Sequence, residues 1–143
     1  MSDAQFDRAV EAAVAALPED FKARLENVAF MVEAFPDPDT LKEMECESPY
    51  DLLGLYRGWP LTERGMDYAG TLPDTIHLYQ RPILAYCKET GEDVVDCIVE
   101  TVIHEVGHYY GLSDDEMDAI EAAWKRLAEE GERMKKEMEK TGG

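Results

Sequence analysis

The sequence predicts an α+β domain: a small, mixed or antiparallel sheet packed on one helix over about residues 92–112, followed by a further helix. Three observations carry this expectation. The run VVDCIVETVIHEVGHYYG sets Val94, Ile98, Val102 and Val106 four apart, with Val95 and Val99 widening the stripe, which is the pattern of a helix with one buried face. Segments 27–34, 51–58 and 74–81 are short, and either apolar or alternating, as strands are. The length of 143 residues suits a single core.

Taken in order, residues 3–17 predict an amphipathic helix. Ser2 or Asp3 can cap it, Phe6, Val10, Ala13, Val14 and Leu17 make its apolar stripe, and Pro18 stops it. In 27–34, Val28, Phe30 and Val32 share one face of a strand that Pro36 and Pro38 break. Residues 39–47 predict one or two helical turns, 51–58 a second strand, and the Gly- and charge-rich 61–74 a loop. A third strand follows, with Ile76, Leu78 and Gln80 opposite His77 and Tyr79. Pro82 suits the first turn of a helix over 82–89, which Gly91 stops. The long helix begins near Glu92 and Asp93, whose carboxylates suit a helix N-terminus, and Gly111 ends it. Ser113 and Glu116 form a capping box for the last helix, whose apolar face is Met117, Ile120, Trp124 and Leu127. The domain is expected to span 1–130, with 131–143 a polar tail that extends the last helix, frays and then becomes disordered.

Composition narrows the function. A formal net charge of −18 repels phosphates and anionic lipid, so neither nucleic acid nor a membrane surface is an expected partner. Three cysteines, Cys46, Cys87 and Cys97, make no CxxC pair and no disulfide framework, which points to a reducing cytoplasm. The first twenty residues lack the basic and apolar regions of a signal peptide, and no stretch approaches the ~20 apolar residues of a membrane span.

The chemistry is concentrated in HEVGHYYGLSD, residues 104–114. His104 and His108 are four apart on a helix of 3.6 residues per turn, so both imidazoles leave one face and can share a tetrahedral ion. Glu105 lies one step round, placed to act as general base on a metal-bound water. The chain has three histidines, and two fall in this motif. Gly111 can turn the chain back, so that Asp114, three residues on, returns as a carboxylate ligand. Asp115, Asp118 and Glu121 stand as alternatives for that place. Two histidines, one carboxylate and an open position make a catalytic zinc site; a structural one is closed by four ligands, mostly cysteine.

The pattern HExxHxxGxxD resembles that of small zincins in which Asp replaces the third His of the metzincins. More closely, the chain resembles the minimal zincin-like metallopeptidases of bacteria over about residues 20–125. The stretches that carry the likeness are LLGLYRGWPLTERG (52–65), LPDTIHLYQRPI (72–83) and VIHEVGHYYGLSDDEMD (102–118). The resemblance implies a minimal zincin-like fold, a zinc ion held by His104, His108 and Asp114, and Glu105 as the base. Met117 lies too close to the motif to form a metzincin Met-turn, so the likeness to metzincins proper is partial.

The expected activity is therefore zinc-dependent hydrolysis of a peptide bond in a peptide or protein substrate, by a monomer or small homo-oligomer. The alternative is a metal-binding or protein-interaction module of the same fold, and a third is hydrolysis of another amide. Tyr56, Tyr109 and Tyr110 are candidates to donate to an oxyanion, though tyrosines also fill cores. His77 reads as a partly buried strand histidine, and Arg57 and Arg81 as ion-pair partners. If strand 74–80 lies at an edge, an extended peptide can pair with it.

Overall fold

The computed structural model describes residues 1–58 and 73–141. Among these are six helices and three strands: α1 (Asp3–Ala16), α2 (Glu19–Ala23), β1 (Val28–Glu33), α3 (Pro38–Glu43), β2 (Gly54–Arg57), β3 (Asp74–Tyr79), α4 (Gln80–Thr90), α5 (Val94–Tyr110) and α6 (Asp114–Thr141). The architecture is the expected α+β one. The expected loop over 61–74 lies outside the described residues except at its end, where Asp74 already opens β3.

The sheet is mixed, in the order β1-β3-β2. β1 runs parallel to β3, with Phe30 opposite Ile76, and β2 runs antiparallel to it, with Tyr56 also opposite Ile76. The strand over 74–79 is thus central, not an edge, and cannot accept a further strand; among the described residues β1 and β2 hold the two edges. Strand order depends on contacts far apart in sequence, which no local pattern encodes.

Helix α5 is the spine. Its apolar side chains Ile98, Val99, Val102, Ile103 and Val106 are fully buried. They share one core with Phe6, Val10 and Ala13 of α1 and with Tyr56, Ile76 and Leu78 of the sheet. Gly54 of β2 comes so close that a Cβ there would lie 2.8 Å from the Thr101 methyl of α5. Local signals explain the helix ends. The Ser2–Gln5 capping box starts α1, and Asp93 caps α5 through the Asp96 amide at 3.2 Å. The helix after β3 begins at Gln80, two residues earlier than Pro82 suggests, so Gln80 is helical and its side chain reaches Asp3 of α1 at 3.1 Å.

The short α2 has no counterpart among the expected elements. It follows Pro18 directly and buries a single residue, Phe21, too little periodicity to read. The last helix continues to Thr141, well past Gly131. Leu127, expected on the apolar face, is 51% exposed and borders a surface cavity with Ala15, Leu17 and Trp124. Among the described residues no helix is long and apolar enough to cross a membrane.

Candidate metal centre

The motif residues lie in the last two turns of α5. Gly111 ends the helix at φ +69°, in the left-handed region that glycine adopts without strain. The Gly111 amide bonds the His108 carbonyl at 3.2 Å and the Leu112 amide bonds the Gly107 carbonyl at 2.8 Å, a Schellman closure. Ser113 then caps α6: its hydroxyl accepts from the Glu116 amide at 3.1 Å, while the Glu116 carboxylate takes the Ser113 amide and hydroxyl. The helix after the turn folds back along α5. A Cβ at Gly107 would lie 2.5 Å from Met117 Sδ, so the absence of a side chain lets α6 approach.

On that frame the two histidines share a face, with ring centroids 6.1 Å apart and planes at 63°. His104 is half-exposed, and its Nε2 lies 2.6 Å from Glu121 Oε1 on α6. Asp114, Asp115 and Asp118 are exposed on the first turns of α6. No hydrogen bond or ion pair joins any of the three to the histidines among the described residues. Nor do three His, Cys, Asp or Glu groups there form a ready cage.

Glu105 is half-buried, and its removal from water pushes its pKa up to about 7, partly countered by His104. Glu105 and His104 both line a cavity of about 270 Å³ that also takes in Leu53, Tyr86, Cys97, Glu100 and Thr101. Sequence reasoning named none of these other walls as site residues. Glu100 and Thr101 sit one turn before His104 on the same helix face, a periodicity that points to them. Burial pushes the Cys97 thiol well up, so it is no nucleophile near neutral pH. Burial and the neighbouring Glu92 also raise Glu100, to about 7.

The other candidates have structural partners. The Tyr56 hydroxyl donates to Asp74 at 2.7 Å and its ring stacks on Tyr109 at 4.1 Å, which ties β2 to the end of α5. Tyr110 packs edge-on against both rings. Arg57 pairs with Glu43 at 3.1 Å and bonds Thr40. Arg81 borders a surface cavity with Asp3, Asp7 and Glu33. His77 lies on the sheet between Glu33 at 2.5 Å and Thr75 at 3.1 Å, a partly buried strand histidine.

The donor chemistry fits a zinc ion. Two imidazoles on one helix face and a carboxylate already against one of them are the nitrogen and oxygen ligands that zinc takes. Zn–N bonds of ~2.0–2.1 Å in a tetrahedral site put the ring centroids ~5 Å apart, so 6.1 Å closes with a small ring rotation. A search of curated proteins finds none that matches the chain. A family model for zincin-like metallopeptidases matches residues 25–124, well over half the sequence and the whole stretch from β1 to the middle of α6. With the motif helix, the mixed sheet and the returning helix in place, the chain belongs to the zincin-like metallopeptidase family.

Proposed function

We propose that the protein is a zinc-dependent metallopeptidase acting in the cleft between α5 and the edge of β2. The observation that carries this reading is the shared cavity. His104 and Glu105 face the same space as Leu53, the residue that leads into β2. Zinc, when bound by His104, His108 and a carboxylate from the segment after Gly111, supplies Lewis acidity for the scissile carbonyl and makes water a competent nucleophile near neutral pH.

The chain's own residues do the rest. β2 has a strand neighbour on one side only among the described residues, so an extended peptide can pair along its other edge. Such a peptide passes over Leu53 and Gly54 and brings a backbone carbonyl toward His104. Glu105 takes a proton at its carboxylate from the attacking water and returns it to the leaving amine. Its partial burial raises its affinity for that proton into the neutral range. Asp114 remains the ligand that the motif spacing proposes, and its exposed place on the first turn of α6 supplies no contact in its favour.

Incubation of zinc-loaded protein with a peptide library, read by mass spectrometry, tests the activity. The expected result is cleavage at internal bonds, reduced about 10²–10⁴-fold by Glu105→Gln with zinc content unchanged. Full activity in Glu105→Gln would overturn the base assignment. No turnover by zinc-loaded wild type would overturn the peptidase reading and leave a metal-binding module.

A further inference from the structure

We infer that Glu100 makes the cavity beside His104 and Glu105 a subsite for a cationic side chain, so that the substrates are peptides with lysine or arginine next to the scissile bond. The inference rests on the peptidase reading above and names the class of peptide that the cleft takes.

The geometry begins on α5. Glu100 precedes His104 by four residues, so the two leave one face of the helix, ~6 Å apart along its axis. Both line the cavity of about 270 Å³, together with Glu105. One water takes up ~30 Å³, so the space admits a long side chain. An extended peptide along β2 points successive side chains to opposite faces. One of the two residues that flank the scissile bond therefore aims its side chain at α5. A lysine has a four-carbon stem with bonds of ~1.5 Å. That stem carries its ammonium about one helical turn, from the level of His104 to that of Glu100.

The lining suits such a stem. Leu53 and Tyr86 offer apolar surface on the way, along which a lysine or arginine lays its methylenes. Thr101 presents no competing donor, because its hydroxyl donates to the Cys97 carbonyl at 2.8 Å. At the end of the path Glu100 is half-buried, and it takes part in none of the ion pairs among the described residues.

That setting is unfavourable for a carboxylate. Burial, then Glu92, push the pKa of Glu100 up to about 7, Glu121 adds to the rise, and the exposed Lys125 of α6 opposes it only in part. The Tyr86 hydroxyl of α4 feels the same field: the Glu92 carboxylate, then burial, push its pKa up, with Glu100 among the lesser causes. A carboxylate held where it costs stability, on the wall of a catalytic cleft and outside any ion pair, is matched by a cation that arrives with the substrate. The net charge of −18 draws cations to the whole surface; Glu100 confines the preference to one position of the peptide.

The test uses the zinc-loaded full chain and alanine-based peptides that each carry one lysine, arginine, methionine or glutamate. Cleavage is located and timed by mass spectrometry. Binding of the same peptides to Glu105→Gln, with and without Glu100→Gln, is measured by calorimetry, and zinc content is checked in every variant. Wild type is expected to cleave beside lysine or arginine, with kcat/KM at least about 10-fold above the methionine peptide. Glu100→Gln should lose most of that ratio, and Glu100→Lys should invert it in favour of glutamate. Glu129→Gln removes an equal charge from an exposed position of α6 and should keep the ratio. Wild-type cleavage without preference for a cation, or a preference that survives Glu100→Gln, would overturn the subsite and leave the peptidase reading standing. An equal loss in Glu129→Gln would overturn it too, since net charge alone would then explain the preference. If no peptide is cleaved, the peptidase reading falls. Binding that still favours lysine through Glu100 then keeps the subsite, and binding without that preference removes it as well.

Discussion

Gly111 shows how one residue sets up the site. Its φ of +69° is left-handed, and a Cβ there would meet nothing within 4 Å, so the cost of a side chain is purely one of backbone conformation. Gly111→Ala is expected to lose about 1–2 kcal/mol, which a thermal melt reads as a drop of several degrees. Gly111→Asn should lose less, because Asn tolerates the left-handed region. An alanine variant that melts with wild type would contradict this account of the turn. At the same scale, the placement of His104 and His108 on one face of α5 was legible from spacing alone, because four residues are about one helical turn. Glu121 was only one of four candidate carboxylates. That it, among them, is the one that lies against His104 depends on which turn of α6 meets which turn of α5. The Met117–Gly107 contact sets that register, and it is a meeting of two segments that no local pattern displays.

At the scale of the element, α5 carries both the core and the chemistry. Ile103 is fully buried directly before His104. Ile103→Ala should cost about 2–5 kcal/mol in denaturant unfolding. A loss below 1 kcal/mol would mean that α5 is not the spine of the core. The next turn back carries a pH signature. Burial, then the Glu92 carboxylate, raise Glu100 from 4.5 to about 7, with Glu121 adding to the rise and Lys125 opposing it. Between those values the folded chain keeps a proton that the unfolded chain has lost. Stability should therefore fall as pH rises from about 4.5 to about 7. Glu100→Gln removes its share of that dependence, while Glu105, raised to the same range by burial, keeps its own. With a chelator present, it should melt higher than wild type at pH 8 and close to it at pH 4. An equal shift at both pH values would contradict the linkage. The helices and strands were largely readable, since capping residues and periodicity mark them locally. The sheet was read less well. β3 looked eligible as an edge because its sequence does not reveal that β1 and β2 flank it.

At the scale of the whole molecule, the layout is a three-stranded sheet and α1 on either flank of α5, with α6 returning along it and running on. Helix α6 is 28 residues, ~42 Å at 1.5 Å per residue, and Met134 and Met138 on its far part are exposed. Deletion of 131–143 should leave the melting temperature within a few degrees and zinc affinity unchanged; a large loss of either would give the distal helix a role in the fold or the site. The fold class was evident from one strong helix and three short strands. A helical extension past Gly131 was expected too; that it continues to Thr141 was not, because the almost wholly polar sequence there carries no apolar stripe to mark an end.

Zinc content of the folded protein, measured by mass spectrometry after reconstitution and desalting, tests the central claim most directly. The account predicts one zinc per chain in wild type and none in His104→Ala/His108→Ala, with Glu105→Gln still loaded. A wild type that takes up no zinc, or a double variant that keeps it, would contradict it.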